Sequence, residues 1–228
     1  MTSTTVPTRL ETSSVSTVRT RVAAAALAAS AATVGVLLAT TPWGDRLDSS
    51  SDDVLSYDRL LDVRDAAWSS MLLDSFAYAV VGLTVGLGVL HLVRAKGRVA
   101  ALVGAVLTTA GGILFAMGGA AFATVVWFIT ADGLSEGAGP SLVDYANDHV
   151  AHVIGADMAG FLLYTLGVLT LSAAVIRARA IPVVAVGVFV VLTLAQFAVP
   201  SGTEVLNYLQ IVQLLMLAGF AAVVWRRA

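Results

Sequence analysis

Long apolar runs dominate the chain. Six of them, each 19 to 32 residues long, contain few charges and lie at residues 22–40, 71–93, 99–130, 150–176, 181–199 and 205–225. About 20 apolar residues are needed to cross the roughly 30 Å of hydrocarbon in a bilayer. The runs are apolar on every side instead of alternating with period two, which favours helices over membrane strands. The pattern therefore predicts an all-α fold, a polytopic transmembrane bundle of six membrane-spanning helices.

The segments outside these runs are too short to form a second domain. Residues 1–20 are rich in Ser and Thr and hold no aromatic residue, which predicts a flexible cytoplasmic tail. Residues 21–228 then form a single six-helix membrane domain. The first run is mostly Ala and follows Arg19 and Arg21, so a cleaved secretory signal is the alternative interpretation of that run.

One polar segment before the second run has helical spacing. Val54, Tyr57, Leu61, Arg64 and Trp68 recur at intervals of three or four residues, while acidic residues occupy the other face. This spacing predicts an amphipathic helix on the outer surface around residues 52–69, with its tryptophan at the membrane interface. The helix either covers the bundle or offers a docking face to a protein partner.

Composition narrows the class of protein. Of the 228 residues 58% are hydrophobic and 12% are charged, and cysteine is absent. These values exclude a water-soluble globule, a disordered chain, a disulfide scaffold and a cysteine nucleophile. No basic patch extends beyond the ends of the apolar runs, so no nucleic-acid partner is expected. The principal partner is the lipid bilayer.

The basic residues predict the orientation. Ten of the 13 Lys and Arg residues fall on one side when the spans are threaded in order: Arg9, Arg19, Arg21, Arg94, Lys96, Arg98, Arg177, Arg179, Arg226 and Arg227. Cytoplasmic loops of membrane proteins carry such an excess of positive charge. We therefore expect a multi-pass plasma-membrane protein with both its amino and carboxyl termini in the cytoplasm.

Small residues follow each other at intervals of four in the third run. The series consists of Gly104, Thr108, Gly112, Ala116, Ala120 and Thr124. Small side chains let another helix approach closely, so the series predicts a helix-packing face. A seam between identical chains, or a face for another membrane protein, is the alternative.

Polar side chains gather toward the outer ends of the last three runs. The candidates for a pocket open to the outside are Asp157, Gln196, Glu204, Asn207, Gln210 and Gln213. Polar groups in lipid usually face the bundle interior, where they bind a solute or an ion, or bond one helix to another. Both interpretations stay open. Asp74, Asp157 and Glu204 can also mark helix ends near the outer boundary, where the helix dipole favours a carboxylate.

Two histidines and an acid form a weak candidate for a metal site. Asp148, His149 and His152 fall within one arc of a helix, and this set suits zinc or another divalent ion. Interfacial histidines beside a solvated acid are the alternative. A bis-histidine haem is disfavoured because His91 lies at the opposite surface. We predict no cofactor, and zinc remains a hypothesis.

No catalytic constellation of residues is recognisable, so no catalytic residue is predicted. The favoured function is a non-catalytic accessory or partner-binding membrane protein. A small-solute or ion transporter or binding protein is the first alternative, and a metal-dependent enzyme at the outer surface is the second. In its Arg-rich, Ala-rich composition and its Arg177-Ala-Arg179-Ala-Ile-Pro182 turn, the chain resembles small six-span membrane proteins of bacteria with GC-rich genomes. That resemblance implies topology and carries over no functional residue.

Overall fold

Helices are the only regular elements in the part of the chain that the structure describes. The computed structural model describes residues 9–40, 55–135, 137–199 and 204–228. The helices of these ranges are α1 (Arg9–Thr40), α2 (Tyr57–Leu92), α3 (Arg98–Ile129), α4 (Ala138–Asp148), α5 (Val150–Ala178), α6 (Val183–Ala195) and α7 (Glu204–Arg227). The prediction of an all-α bundle is confirmed.

Five helices contain a stretch that is long and apolar enough to cross a bilayer. The stretches are Ser16–Thr40, Trp68–Leu92, Arg98–Ile129, Val150–Ala178 and Glu204–Arg227. Their outward faces keep large apolar side chains more than half exposed, among them Phe76, Val106 and Leu215. Exposed apolar surface on this scale fits contact with lipid and not with water. The five helices thus fit a protein embedded in a membrane.

The sixth predicted span is shorter than expected. Helix α6 has 13 residues, which corresponds to about 20 Å at 1.5 Å per residue and falls short of the hydrocarbon thickness. After Ala195 the chain turns through residues 196–199, and residues 200–203 lie outside the described ranges. A sixth crossing therefore stays a prediction that the described residues do not confirm.

Two helices begin earlier than the apolar runs indicate. Helix α1 starts at Arg9, inside the segment expected to be a flexible tail, and residues 1–8 lie outside the described ranges. Helix α2 starts at Tyr57 and continues unbroken to Leu92. A separate outer-surface helix around 52–69 is not confirmed, because its described part is the first section of α2; residues 52–54 are not described.

Helix α3 is the centre of the bundle and packs between α2 and α5. Gly104, Gly111 and Gly118 face α5, where a Cβ at each position would clash with Leu171, Tyr164 and Asp157 respectively. Ala105, Gly112 and Gly119 face α2 in the same way, against Gly86, Gly82 and Ser75 respectively. Both seams repeat every seven residues, the spacing that keeps two helices in contact along a left-handed crossing.

This seven-residue spacing differs from the four-residue series predicted from sequence. Gly104 and Gly112 do lie at the seams, and Thr108 is fully buried, whereas Thr124 is exposed. A series with a step of four drifts around the helix, because two such steps exceed two helical turns by nearly one residue. The packing function of the small residues is confirmed for the first half of the series.

One end of the bundle carries most of the basic residues. Helices α2, α5 and α7 finish there and α3 begins there, which brings together Arg94, Lys96, Arg98, Arg177, Arg179, Arg226 and Arg227. We call this the basic end. The section of α1 around Thr20 joins it, because the Thr20 hydroxyl lies 3.4 Å from His91 Nδ1 and Arg21 lies over the Trp225 ring at 5.7 Å.

The opposite end is closed by α4 and the first section of α2. A buried apolar cluster, which we call the cap cluster, consists of Leu55, Leu60, Phe122, Val126, Ile129, Val143 and Ala146. Asn147 fixes the chain before α2, since its Nδ2 donates to the Leu55 carbonyl and its Oδ1 accepts from the Leu55 amide, each at 2.9 Å. This end therefore has a small core of its own, which includes the last turns of α3.

Candidate functional site

Two aspartates on neighbouring helices form the principal candidate site. Asp74 lies on α2 and Asp157 on α5, and both are only partly exposed. Ser75, the residue after Asp74, and the Asp157 carboxylate both lie beside Gly119 of α3. Asp74 Oδ1 is shielded from solvent and has no hydrogen-bond partner among the described residues. The site lies in the half of the bundle nearer α4, because Asp74 is six residues beyond Trp68, or about 9 Å along the helix.

The backbone of α3 brings Asp157 next to Ser75, the neighbour of Asp74 on α2. A Cβ at Gly118 would lie 2.6 Å from the Asp157 amide nitrogen, so α5 rests directly on this glycine. A Cβ at the next residue, Gly119, would meet the hydroxyl of Ser75 and lie 3.9 Å from Asp157 Oδ1. The missing side chains of two successive glycines therefore let Ser75 and the Asp157 carboxylate reach one point on α3.

Aromatic rings pack on the side of the acids that faces the basic end. The Tyr78 ring, one helical turn beyond Asp74, lies 4.8 Å from the Phe115 ring. Its edge also meets Tyr164 at 6.4 Å between ring centroids. Tyr164 is in turn two turns beyond Asp157 on α5. The arrangement encloses the carboxyl pair between an aromatic layer and the cap end of the bundle.

The sequence predicts Asp157 for this site but not its neighbours. Asp74 fits equally well as an acid at the outer boundary, and the sequence pattern does not distinguish Ser75, Tyr78 and Tyr164 from other residues of their helices. The sequence feature that could have predicted the proximity of the two acids is the second glycine of each Gly-Gly pair in α3. Gly112 and Gly119 both contact α2, and the seven-residue step between them extends along α2 to the region of Asp74.

The other predicted pocket residues lie mainly between α6 and α7. Gln196 donates a hydrogen bond to Gln213 Oε1, and Gln213 Nε2 donates to the Thr193 hydroxyl at 2.7 Å. This is the helix-to-helix bonding that the sequence left open as one interpretation. Glu204 is exposed at the start of α7, while Asn207 and Gln210 are partly buried. Within the described ranges no hydrogen bond joins these polar groups to Asp157.

The histidines lie at the junction of α4 and α5. Asp148 ends α4, Val150 begins α5, and His149 breaks the helix between them. The His149 ring stacks on Tyr145 at 4.2 Å between centroids, and its Nδ1 lies 2.9 Å from the Tyr145 carbonyl. The rings of His149 and His152 are 6.0 Å apart. No cluster of three metal-ligating side chains is found among the described residues, and zinc binding stays a prediction.

Comparison with family models, with curated proteins and with solved structures finds nothing that matches this chain. The class of protein therefore follows from the helices and the site. The chain is a helical bundle with several apolar helices, which is compatible with a multi-pass membrane protein in contact with lipid.

Proposed function

We propose that this protein is a cation-binding membrane protein in which Asp74 and Asp157 hold a proton or a small monovalent cation between them. The observation that carries the proposal is the meeting of Ser75, the residue after Asp74, and the Asp157 carboxylate at one glycine doublet of α3, with Asp74 Oδ1 buried and without a partner among the described residues. Placing an ionisable side chain within a transmembrane segment costs free energy, and such residues mark ion pathways, proton relays or ligand sites.

Electrostatics favours a bound positive charge at this point. Two ionised carboxylates close together in a low-dielectric interior repel each other, and a shared proton or a cation removes that repulsion. The described side chains around the pair supply hydroxyl groups and aromatic rings, and the Lys and Arg residues of α2, α3 and α5 are ten or more residues away from it along the helices. A bound proton or cation would supply the compensating charge.

The position of the pair gives cation binding a structural consequence. Asp74 belongs to α2 and Asp157 to α5, and both helices pack closely against α3 at glycine positions. Closely packed interfaces adopt discrete arrangements and do not deform continuously. Binding or release of the cation therefore acts on the contacts among α2, α3 and α5 at the same time. This arrangement suits a protein that couples cation binding to the binding of a solute or to a conformational change.

Infrared spectroscopy of the purified protein tests the proposal. We expect a band from a protonated carboxyl group that is lost in the Asp74→Asn, Asp157→Asn double variant, or else a carboxylate change on adding sodium or potassium that the same variant abolishes. Asp144→Asn, an exposed acid on α4, serves as the control and should keep either signal. A wild-type protein whose spectrum lacks both signals would refute the proposal.

The remaining functional predictions keep their own tests. A plasma-membrane location with cytoplasmic termini is proposed from the arginines of the basic end, and labelling of engineered surface cysteines in intact cells tests it. The accessory function predicts that a partner copurifies in mild detergent. The enzyme hypothesis predicts stoichiometric metal that is lost on replacing His149 and His152.

A further inference from the structure

A cavity of about 360 Å³ lies near the basic end, between α2, α5, α6 and α7. Its lining includes Val89, Val175, Val186, Phe189, Leu217 and Phe220, and Ser172 provides a single hydroxyl group. The volume falls in the range of about 300–1,000 Å³ that is typical of ligand pockets. The cavity is separate from the carboxyl pair, which lies toward the other end of the helices. Because its lining is almost entirely apolar, the cavity favours an apolar occupant.

The rim of the cavity is held by the carboxyl end of the chain. Arg227 donates a hydrogen bond from its guanidinium to the Ala180 carbonyl at 2.7 Å. Ala180 immediately precedes Ile181 and Pro182, which line the cavity at the start of α6. The bond ties α7 to the connection between α5 and α6, so the wall formed by the short helix α6 has a fixed edge at the basic end.

Three arginines lie within a few residues of the lining residues at this rim. Arg177 and Arg179 lie just before the lining residues of α6, and Arg226 lies three residues after Val223 of α7. All three side chains are exposed. None of them has an ion-pair or hydrogen-bond partner among the side chains that the structure describes. An apolar cavity is thus bordered, on the side of the lipid headgroups, by unpaired positive charge.

We propose that the cavity and these arginines form a binding site for an anionic phospholipid. One acyl chain occupies the cavity, and the headgroup phosphate contacts Arg177, Arg179 and Arg226. The positive charge of the arginines complements the negative charge of a lipid headgroup. This complementarity favours an anionic lipid over an uncharged apolar molecule. Basic pockets between transmembrane helices bind anionic headgroups, and each arginine near a membrane surface contributes about a fivefold gain in affinity.

Native mass spectrometry of the detergent-purified protein tests the proposal with phosphatidylglycerol and phosphatidylcholine of identical chains. We expect preferential retention of phosphatidylglycerol by the wild type. Replacing the three arginines with Gln should abolish the preference, with a loss of about fivefold for each residue. Lys96→Gln together with Arg98→Gln removes two charges from the same end at residues that precede no cavity-lining helix, and should leave the preference largely intact.

Filling the cavity tests the acyl chain separately. Gly219 lines the cavity, and a Cβ at this position would meet no atom within 4 Å, so Gly219→Phe should fold and exclude lipid. Gly187→Phe is the matched control, because Gly187 is equally open and does not line the cavity. Soluble glycerol phosphate should not compete with the lipid, since it lacks the chain.

Three results would overturn the proposal. The first is equal retention of the two lipids by the wild type, and the second is wild-type retention of phosphatidylglycerol by a folded Gly219→Phe protein. The third is displacement of the lipid by glycerol phosphate alone, which would assign the binding to the surface arginines without the cavity. The arginine variants change exposed side chains only, so their folding does not depend on the cavity.

Discussion

Asp157 of α5 rests on Gly118 of α3 so closely that a Cβ at Gly118 would lie 2.6 Å from the Asp157 amide nitrogen. The same contact that holds two helices together therefore also fixes the position of a carboxyl group of the candidate site. Packing and site geometry share residues here, and a change in one alters the other.

The glycine seam between α3 and α5 predicts different effects for two glycines of one helix. A Cβ at Gly160 would clash with the Phe115 backbone, whereas a Cβ at Gly155 would meet nothing within 4 Å. We expect Gly160→Ala to lower the free energy of unfolding by about 2 kcal/mol through overpacking. Gly155→Ala should raise it by about 0.5 kcal/mol because alanine is the better helix former. Reversible unfolding in mixed detergent micelles measures both, and equal effects would contradict the seam.

The bonds of Asn147 predict a local loss of stability at the cap end. Asn147→Ala removes two hydrogen bonds and leaves the Leu55 backbone groups unpaired, although Leu55 is only 4% exposed. We expect a cost of about 2 kcal/mol, confined to α4 and the start of α2. Hydrogen exchange should rise there and stay unchanged in α5. Asp144→Ala, on the exposed side of α4, is the control, and an equal rise in that variant would disprove a special contribution from Asn147.

The amide network between α6 and α7 predicts that Gln213 holds α6 in place. Gln213→Leu breaks the hydrogen bonds to Thr193 and Gln196. Hydrogen bonds of this kind contribute about 0.6 kcal/mol each in membrane proteins, so losing two of them should raise hydrogen exchange in Val183–Ala195 about sevenfold. Gln210→Leu is matched in chemistry and lies one turn away without a hydrogen bond to α6 in the described ranges. If both variants leave exchange in α6 unchanged, the network does not restrain it.

Apolar runs were sufficient to locate most of the helices. The runs at 99–130 and 150–176 agree with α3 and α5 to within two residues, because continuous hydrophobicity and basic flanks define a span without reference to its neighbours. The extension of α2 before Trp68 was recognised as helical, but its continuity with the span was not. Helical spacing alone does not show whether a junction is bent or straight.

The carboxyl pair was harder to predict, since it depends on which helices meet. Asp157 stood out within its apolar run, while Asp74 fitted equally well at a membrane boundary. Their proximity depends on the register of α2 and α5 on α3. The register of α2 and α5 on α3 follows from the seven-residue spacing of the glycines. That spacing can be interpreted only when the two helices that pack against α3 are known. The cavity near the basic end left no signal in the sequence, because its lining is ordinary aliphatic residues.

Helix α2 has one further consequence. It extends over 36 residues from Tyr57, beside the cap cluster, to Leu92, next to His91 at the basic end, a length of about 54 Å. No loop interrupts it, and it passes both the carboxyl pair and the cavity near the basic end. A rotation imposed at one end of this helix would be transmitted to the other, so α2 connects the two ends of the bundle mechanically.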